Sequence, residues 1–470
     1  MRTKIIATIG PASASREVIV RLAEAGASIF RLNFSHGDAE FFRRLINDIR
    51  FVEKELGRPL SILQDLAGPK IRLGVLESGS IEVSRGELLL LGANAPDGSE
   101  FPLLPLDNPA LMDELLPGDI LVLADGGLRF TVRERMANEL VLLESLGAGI
   151  VTSRKGIALP GKTLSLPALT PKDCRDLLLG LELGVDAVAV SFVQSAADIR
   201  QVRALLHKEK SAIPVVAKLE RRNAVNDLDA ILEVSDMIMV ARGDLGVECP
   251  LPELPALQKR IIRACNQVSK PVIVATQMLL SMVNSPSPTR AETTDVANAV
   301  LDGADCVMLS EETAMGAYPA ETVEYMNKIA SEAEAYLVET RRLTSPDQAS
   351  GASEFLAYSA CLLADKTDAV AIAAHSLSGR SARLLSACRP RQPIHSLTVD
   401  AGVLHALNFS WGVYPHLVGE DYEPGHLARV QRFIAITADF PVGRDVVITA
   451  GEPTVGQPGR GTNLVKIYRK

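Results

Sequence analysis

Cysteine is scarce in this sequence, and its spacing is irregular. The 470 residues contain six cysteines, and none of them forms a Cys-x-x-Cys pair. This scatter argues against a disulfide framework and against a cysteine-ligated zinc site. We therefore expect reduced thiols and a cytoplasmic location.

Other features are missing as well. No apolar run approaches about 18 residues, so we expect no membrane span, and the N-terminus shows no signal-peptide pattern. The net charge of -8 argues against nucleic acid or an acidic membrane surface as a partner. A Gly-x-x-x-x-Gly-Lys-Ser/Thr loop is absent, which excludes a P-loop kinase.

What is present is the composition of a globular enzyme, with 47% hydrophobic and 23% charged residues. Its length suggests roughly three domains. Strand-like runs alternate with segments of helical period, which favours an α/β fold with a parallel sheet. Eight such runs predict a TIM (β/α)8 barrel, with a doubly wound sheet as the alternative. These runs are Lys4–Ile9, Ser28–Leu32, Ser61–Leu66, Ala187–Ser191, Val215–Lys218, Met237–Ala241, Val272–Thr276 and Cys306–Ser310.

The alternation of strand-like and helical segments is interrupted twice, and these interruptions predict the domain boundaries. Residues 70–165 lose the helical period and show short alternating strands with turn signals, so we expect an all-β domain inserted after the third barrel strand. A polar stretch at 344–351 predicts a linker, followed by a C-terminal α/β domain at 352–470. Residues 1–69 and 166–343 then form the barrel.

The stretch from Lys218 to Gly246 carries the strongest chemical signal. Lys218 and Glu220 follow one predicted strand, and Asp244 follows the next. Two carboxylates suit Mg2+ or Mn2+, and a lysine beside them can stabilise negative charge on a substrate oxygen. Gly243 lets the backbone approach a ligand, and a helix starting near Asp244 could hold an anion. The competing interpretation is a surface ion pair and a capped helix.

Motifs stand at the ends of the other predicted strands. They are Arg31-Leu-Asn-Phe-Ser-His-Gly37, Gln64-Asp-Leu-Ala-Gly-Pro-Lys-Ile-Arg72, Ala275-Thr-Gln-Met278, Pro288-Thr-Arg-Ala-Glu292 and Met308-Leu-Ser-Glu-Glu-Thr313. Together with Lys218 to Gly246, they resemble the pyruvate kinase family along essentially the whole chain and in the family's order. The resemblance implies phosphoryl transfer from phosphoenolpyruvate to ADP, giving pyruvate and ATP.

The resemblance also implies roles for individual residues. Glu220 and Asp244 would bind Mg2+, or Mn2+ in its place, and Lys218 would stabilise the transferring phosphoryl group and the enolate. Arg31 would clamp the phosphate. The backbone amides of Gly243 and Asp244 would take the substrate carboxylate. Thr276 would lie close to the substrate, and whether it helps to protonate the enolate is left open.

For the nucleotide, the resemblance points to Asn33, His36, Arg72 and Lys155. Two of these assignments have alternatives, since His36 could cap the following helix and Lys155 could be a hinge residue. Glu311 departs from the family, many members of which have glycine there. Its carboxylate is either solvated, which we favour, or perturbs the charge balance nearby.

Monovalent cations divide the family. Members that require K+ have threonine at the position of Leu66 and glutamate at that of Lys70, and bind the ion with residues matching Asn33, Ser35 and Asp65. This chain keeps those three but has reversed the charge at Lys70, whose ammonium can stand in for K+ near Asp65. We therefore expect the K+-independent bacterial branch. The alternative is that Lys70 points into solvent and K+ binds as usual.

The C-terminal domain contains a candidate phosphate site. Hydroxyls, amides and an arginine cluster at Ser376, Ser378, Gly379, Arg380 and Ser381, and the resemblance implies a phosphorylated allosteric effector there. The competing interpretation is a capped helix with no ligand. The resemblance further implies a homotetramer.

Two other functions compete with this one. A metal-dependent TIM-barrel lyase or aldolase acting through a pyruvate enolate would also need a divalent ion and a cationic stabiliser, but it would not need Arg72 and Lys155. A non-catalytic metabolite sensor would not need Lys218, Glu220 and Asp244.

Overall fold

A computed structural model describes the chain from residue 1 to residue 470, apart from 97, 107, 124–126, 138, 165–166, 341–342, 344, 347–349, 420–422, 424 and 452–461. The predicted domain junction at 165–166 and much of the predicted linker lie outside the described residues.

The chain begins with three parallel strands separated by two amphipathic helices. Helix α1 starts at Ser15, whose hydroxyl accepts from the backbone N–H of Val18, and α2 starts at Asp38 in the same way. Glycines follow both helices, as expected where a chain must turn sharply into a strand. The elements are β1 (Lys4–Ile9), α1 (Arg16–Ala25), β2 (Ala27–Asn33), α2 (Ala39–Leu56) and β3 (Ser61–Asp65).

The inserted segment after β3 is almost entirely β-structure with its own leucine-rich core. Strands β11, β7, β8, β9, β5 and β6 form one sheet in that order, and β4 and β10 form a separate antiparallel pair. The elements are β4 (Ser80–Val83), β5 (Leu88–Gly92), β6 (Leu103–Pro105), α3 (Pro109–Glu114), β7 (Ile120–Leu123), β8 (Leu128–Met136), β9 (Leu140–Ser145), β10 (Gly149–Thr152) and β11 (Ile157–Ala158).

Five more βα units complete the barrel. The first opens with the predicted cap, because Thr170 and Asp173 form a reciprocal capping box with Pro171 at the first helical position. The elements are α4 (Pro171–Leu183), β12 (Ala187–Val190), α5 (Ala196–Lys208), β13 (Val215–Leu219), α6 (Arg222–Asn226), α7 (Leu228–Val234), β14 (Met237–Ala241), α8 (Arg242–Glu248), α9 (Leu254–Gln267), β15 (Val272–Ala275), α10 (Arg290–Asp302), β16 (Cys306–Leu309), α11 (Glu311–Ala314) and α12 (Pro319–Thr340).

The eight parallel strands close on themselves in the order β1, β16, β15, β14, β13, β12, β3 and β2. Closure confirms the TIM barrel and removes the doubly wound alternative. Apolar side chains fill the barrel interior, among them Ile6, Leu63 and Met239, and the outward faces of the strands pack against the helices. Since all eight strands run the same way, their carboxyl ends meet on one side.

The C-terminal domain is a second α/β layer structure. Its sheet has the order β19, β18, β17, β20, β21, of which only β21 is antiparallel to its neighbour. The elements are α13 (Ala352–Lys366), β17 (Ala371–His375), α14 (Arg380–Ala387), β18 (Ile394–Thr398), α15 (Ala401–Leu407), β19 (Val413–Leu417), α16 (His426–Ile436), β20 (Asp445–Ala450) and β21 (Leu464–Arg469). Within the described part of the chain, no helix combines the length and apolarity that a bilayer crossing requires.

Candidate active site

A cluster of buried charges lies where β2, β3 and β13 end. The Nζ atom of Lys218 lies 3.1 Å from Oδ1 of Asp65 and 2.9 Å from Oε1 of Glu220. On the other side, Nε of Arg31 donates to Oδ2 of Asp65 at 2.6 Å. We call Arg31, Asp65, Lys218 and Glu220 the charged cluster. Two cations and two carboxylates alternate in it, so each buried charge has an opposite neighbour.

Burial alone would neutralise these groups, and the pairing prevents it. Burial lowers the pKa of Lys218, but the charges of Asp65 and Glu220 outweigh it and raise the value to about 12. Burial likewise raises the pKa of Asp65, but Lys218 and Arg31 bring it below its usual value. Lys218 therefore carries a positive charge at neutral pH in a site that is nearly shielded from water.

Glu220 is held from two directions. Its Oε2 atom accepts a hydrogen bond of 2.6 Å from the backbone N–H of Phe192, while Oε1 faces Lys218. Phe192 adopts a φ of 55°, a left-handed conformation that a bulky residue rarely takes. Such strain is typical of functional sites, and here it aims an amide at the carboxylate.

Asp244 lies in the first turn of α8, which begins two residues before it at Arg242. Its Oδ1 atom lies 3.3 Å from Nζ of Lys70. We expected Lys70 near Asp65, but the carboxylate of Asp65 pairs with Arg31 and Lys218 instead. The positive charge of Lys70 is therefore inside the site, beside the other proposed metal ligand.

Thr276 is positioned by strained backbone at the end of β15. Thr276 and Gln277 have φ values of 73° and 54°. The Thr276 hydroxyl accepts from the N–H of Gly243 at 2.7 Å and donates to the carbonyl of Ala275 at 2.6 Å. Of the two amides assigned to the substrate carboxylate, that of Gly243 thus has a protein partner already.

Glu220 and Asp244 fit a hard divalent cation. Burial raises the pKa of Glu220, Lys218 opposes this, and the like charge of Asp244 adds to the increase. The two carboxylates are therefore close enough to repel each other, and a cation held between them would relieve that repulsion. Oxygen donors of this kind favour Mg2+ or Mn2+.

The residues assigned to the nucleotide and to K+ are spread more widely over the structure than those of the charged cluster. Asn33 pairs in register with Asp65, and its side-chain oxygen accepts from the N–H of Ser35 at 3.1 Å. His36 is exposed and caps no helix, since Asp38 caps α2. The structure therefore contradicts the alternative that we gave for His36.

Arg72 and Lys155 lie in the inserted domain, on neighbouring chain segments. Arg72 bridges to Gly156 by backbone pairing, and its guanidinium donates to the carbonyl of Arg154 at 3.3 Å. Gly156 in turn borders the same small pocket as Glu220 and Asp244. Arg72 and Lys155 thus lie next to a residue of that small pocket, and within the described residues neither of them contacts the charged cluster.

An open cleft of about 1410 Å3 runs from this site between the barrel and the inserted domain. Lys70, Asp244 and Thr276 line it, and so does Arg129 of the inserted domain. Glu311 lies on its wall with an exposed side chain.

Three residues that help to build the candidate active site were not predicted from the sequence. Ser191 accepts from Lys218 at 2.6 Å and donates to the carbonyl of Leu66 at 2.7 Å, so it ties β12 to the charged cluster. Phe192 supplies the amide for Glu220. Arg242 donates to Asp295 at 2.7 Å and to the carbonyl of Thr276 at 2.8 Å, which holds the start of α8 against β15. All three lie just after strands of the barrel, and this position was the sequence feature that could have identified them.

The candidate effector residues lie in the turn after β17 and in the first two positions of α14. Gly379 precedes the helix with a φ of 77°, where glycine is favoured. Ser381 shares a hydrogen bond of 2.6 Å with Thr462, and the exposed Arg380 pairs with Glu354 at 2.9 Å. Ser376 is buried, and Ser378 offers its carbonyl to Arg383. The turn brings all five residues together, although Arg380 is held by a carboxylate.

The fold and the charged cluster define a class, the TIM-barrel enzymes whose reacting groups converge at the carboxyl ends of the strands. Two family models, described as pyruvate kinase, barrel domain, and pyruvate kinase, alpha/beta domain, match residues 1–323 and 354–468. The chain belongs to the pyruvate kinase family. It is therefore a phosphotransferase that uses phosphoenolpyruvate and ADP, and the lyase alternative is not supported.

Similar curated proteins cover nearly the whole chain. Pyruvate kinase 2 of Synechocystis sp. is 42% identical over 99% of this chain and 79% of its own length. A pyruvate kinase of Agrobacterium vitis is 42% identical over 98% of this chain and 96% of its own length. One from the archaeon Thermococcus litoralis is 39% identical over 100% and 98%, respectively. Members of this family generally need a divalent cation such as Mg2+.

Proposed function

We propose that the charged cluster catalyses the phosphoryl transfer, with Lys218 as its central group. The observation that carries this is the buried ammonium of Lys218, fixed by Asp65, Glu220 and Ser191 and kept positive at neutral pH. A pre-placed charge needs no reorganisation when negative charge develops on the phosphoryl group and the enolate oxygen. Arg31, anchored on Asp65, is placed to clamp the phosphate with its remaining N–H groups.

Glu220 and Asp244 would hold the divalent cation, which supplies charge neutralisation for the carboxylate and phosphate oxygens of the substrate. The glycine at position 243 is consistent with a ligand bound beside Glu220 and Asp244. A Cβ atom added there would meet Thr276 Oγ1 at 3.5 Å, an ordinary contact, so packing within the chain does not require glycine. The amides of Gly243 and Asp244 would take the carboxylate, with Thr276 shifting its hydroxyl from one amide to the substrate.

The test of this function is pyruvate formation by the full chain, coupled to lactate dehydrogenase, with and without ADP. We expect pyruvate to form from phosphoenolpyruvate only when ADP and Mg2+ or Mn2+ are both present. Pyruvate released without ADP would contradict the assignment and favour lyase chemistry.

Asn33, His36, Arg72 and Lys155 are proposed to bind the nucleotide. Arg72 and Lys155 support this because they lie on the inserted domain next to Gly156, which borders the small pocket of Glu220 and Asp244. The side chain that caps α2 is Asp38, so exposed His36 has no competing role there. Closure of the inserted domain over the cleft would bring its cations towards the phosphates of ADP.

Lys70 is proposed to replace K+, so that the pocket of Asn33, Ser35 and Asp65 needs no monovalent ion. The ammonium of Lys70 lies against Asp244 within the site. A K+ ion at about 4 Å from it would be repelled by about 4 kcal/mol at an effective dielectric near 20, enough to empty a weak site. Assays in tetramethylammonium buffer should show full activity without KCl, and strong activation by KCl would contradict the proposal. Lys70→Glu should lose activity in that buffer and partly regain it with K+.

A phosphorylated effector is proposed to bind at the turn formed by Ser376, Ser378, Gly379, Arg380 and Ser381. An exposed arginine and two hydroxyls beside the start of α14 offer a phosphate both charge and hydrogen bonds. Sugar phosphates and AMP should change the phosphoenolpyruvate saturation curve of the wild type but not of Arg380→Ala. Arg391→Ala, another exposed arginine of this domain, is the matched control.

The remaining proposals concern organisation. We propose the domain boundaries 1–69 with 166–343, 70–165, and 352–470, a homotetramer, and a cytoplasmic location. Light scattering of the purified chain tests the tetramer directly.

A further inference from the structure

Two histidines and an aspartate meet on one face of the C-terminal sheet, far in the chain from the charged cluster. His395 lies on β18 and His416 on β19, and the register of the two parallel strands places both side chains on the same face. Nδ1 of His395 lies 3.0 Å from Nε2 of His416. Asp439, in the connection between α16 and β20, brings a carboxylate oxygen within 4.8 Å of a ring nitrogen of each histidine.

Apolar rings enclose this group. The ring of Phe440 lies 4.8 Å from that of His395 in an edge-on contact, and the ring of Phe433 lies 4.6 Å from that of His416. His395 is buried, whereas Asp439 is exposed. Three donors from three separate elements therefore converge at the edge of an apolar pocket, with an opening to solvent on the carboxylate side.

We propose that His395, His416 and Asp439 form a binding site for one borderline transition-metal ion of the Zn2+ or Co2+ type. Two imidazoles and one carboxylate suit such an ion, with a solvent water as the fourth ligand. Two nitrogens 3.0 Å apart, each at the ~2.0 to 2.1 Å of a zinc bond, subtend roughly 95° at the ion. A small spreading of the two rings reaches the tetrahedral angle.

The two rings already meet through the nitrogens that would bind the ion. The direct contact between Nδ1 of His395 and Nε2 of His416 is the arrangement that the metal would replace.

This site differs in kind from the one at Glu220 and Asp244. Imidazole nitrogen discriminates against Mg2+, which prefers oxygen and keeps its waters. A bound ion would join β18 and β19 to the segment after α16 and so stabilise the C-terminal domain. It would not touch the substrate.

The experiment titrates ZnCl2 into chelator-stripped full-length protein by calorimetry, with millimolar Mg2+ present to occupy the oxygen site. We expect one Zn2+ per chain and a rise of the unfolding midpoint by about 5 °C. Asp439→Asn keeps the shape and removes the anionic ligand, so it should weaken Zn2+ binding by about 10-fold or more. His416→Gln should abolish it.

Asp368→Asn is the matched control, since it removes another exposed carboxylate of the same domain at a left-handed position that asparagine accepts. Its Zn2+ affinity should equal that of the wild type. Absence of Zn2+ binding in the wild type would overturn the proposal, and so would binding that Asp439→Asn leaves unchanged. Because Asp439 is exposed, that variant carries the test even if His416→Gln does not fold.

Discussion

The charged cluster of the barrel and His375 of the C-terminal domain both contain buried polar groups, yet Lys218 and Asp65 of the cluster are ionised at pH 7 whereas His375 is neutral. In the barrel, the pKa of Lys218 is raised to about 12 because carboxylates surround it. In the C-terminal domain, His375 lies against His426 with ring nitrogens 2.8 Å apart, and burial with this neighbour lowers its pKa to about 4. Burial is common to both, so the charge of the neighbour decides which form persists.

The difference separates two uses of a buried polar group. Alternating charges keep a lysine ionised, which suits a site that must stabilise an anion. The imidazole of His375, whose neighbour is another imidazole, stays neutral, which suits hydrogen bonding. Changing one neighbour at a time tests each half of the comparison.

The largest effect is expected when a metal-binding carboxylate of the barrel is neutralised. Glu220→Gln keeps the hydrogen bond from Phe192 but removes the charge that faces Lys218 and the cation. We expect kcat/KM for phosphoenolpyruvate to fall by at least about 100-fold, with a higher Mg2+ requirement. Glu311→Gln is the control, because its exposed carboxylate lines the cleft beside Asp244. Equal losses in the two variants would contradict a special role for Glu220.

The next largest effect is expected on the stability of the protein, when one carboxylate of the charged cluster is neutralised. Asp65→Asn leaves Arg31 and Lys218 buried with one counter-charge fewer. The free energy of unfolding should fall by about 3 to 5 kcal/mol in urea titrations. Asp48→Asn breaks a partly exposed ion pair between Asp48 on α2 and Arg16 on α1, and should cost less than about 1 kcal/mol. A smaller loss for Asp65→Asn than for Asp48→Asn would show that the cluster does not depend on this pairing.

Because His375 is neutral in the folded chain, the stability of the C-terminal domain should decrease in acid. The pKa of His375 is about 4 in the folded chain and about 6.5 in the unfolded chain, so the unfolded state binds more protons between these values. Stability should therefore fall as the pH drops from about 6.5 towards 4. Thermal melts of His375→Gln should show a shallower fall over this range. An unchanged pH dependence would argue against a neutral His375.

The smallest effect concerns His405, an imidazole that has carboxylate neighbours. Burial lowers its pKa, but the hydrogen bond to Glu53 at 2.6 Å and the charge of Asp186 raise it overall. This contact between α15 and the barrel should stabilise the chain fully below pH 6.5 and weaken as the pH rises through the folded-state pKa. In thermal melts between pH 6 and 9, His405→Gln should not show this loss of stability with rising pH. If the variant loses stability over this range as the wild type does, another group is responsible.

The barrel was predictable because seven of its eight strands are short and fully buried, and polar residues end or follow them. Strand β19 is hard to predict from the sequence, since it contains Pro415 and two polar rings, and so is β21, because its edge position leaves charged residues along it. The leucine run of β5 is equally hard to predict as a strand, because leucine favours helix over strand.

The candidate site was predictable where one motif carries both the residue and its chemistry, as with Lys218 and Asp244. Ser191 was not, because its role depends on β12 lying beside β3, a contact set by barrel closure. The position of Lys70 was also not predictable, since a side chain of that length can reach either Asp65 or Asp244. Local sequence fixes which groups are available, and tertiary packing decides which of them meet.

The most direct test of the central claim is the steady-state kinetics of Lys218→Met with phosphoenolpyruvate. Methionine keeps most of the side-chain volume and removes the charge that we assign to the transition state. The account predicts that kcat falls by roughly 100-fold to 1,000-fold while KM changes little. Lys208→Met, at an exposed position, should match the wild type in both constants. A change confined to KM in Lys218→Met would contradict the account.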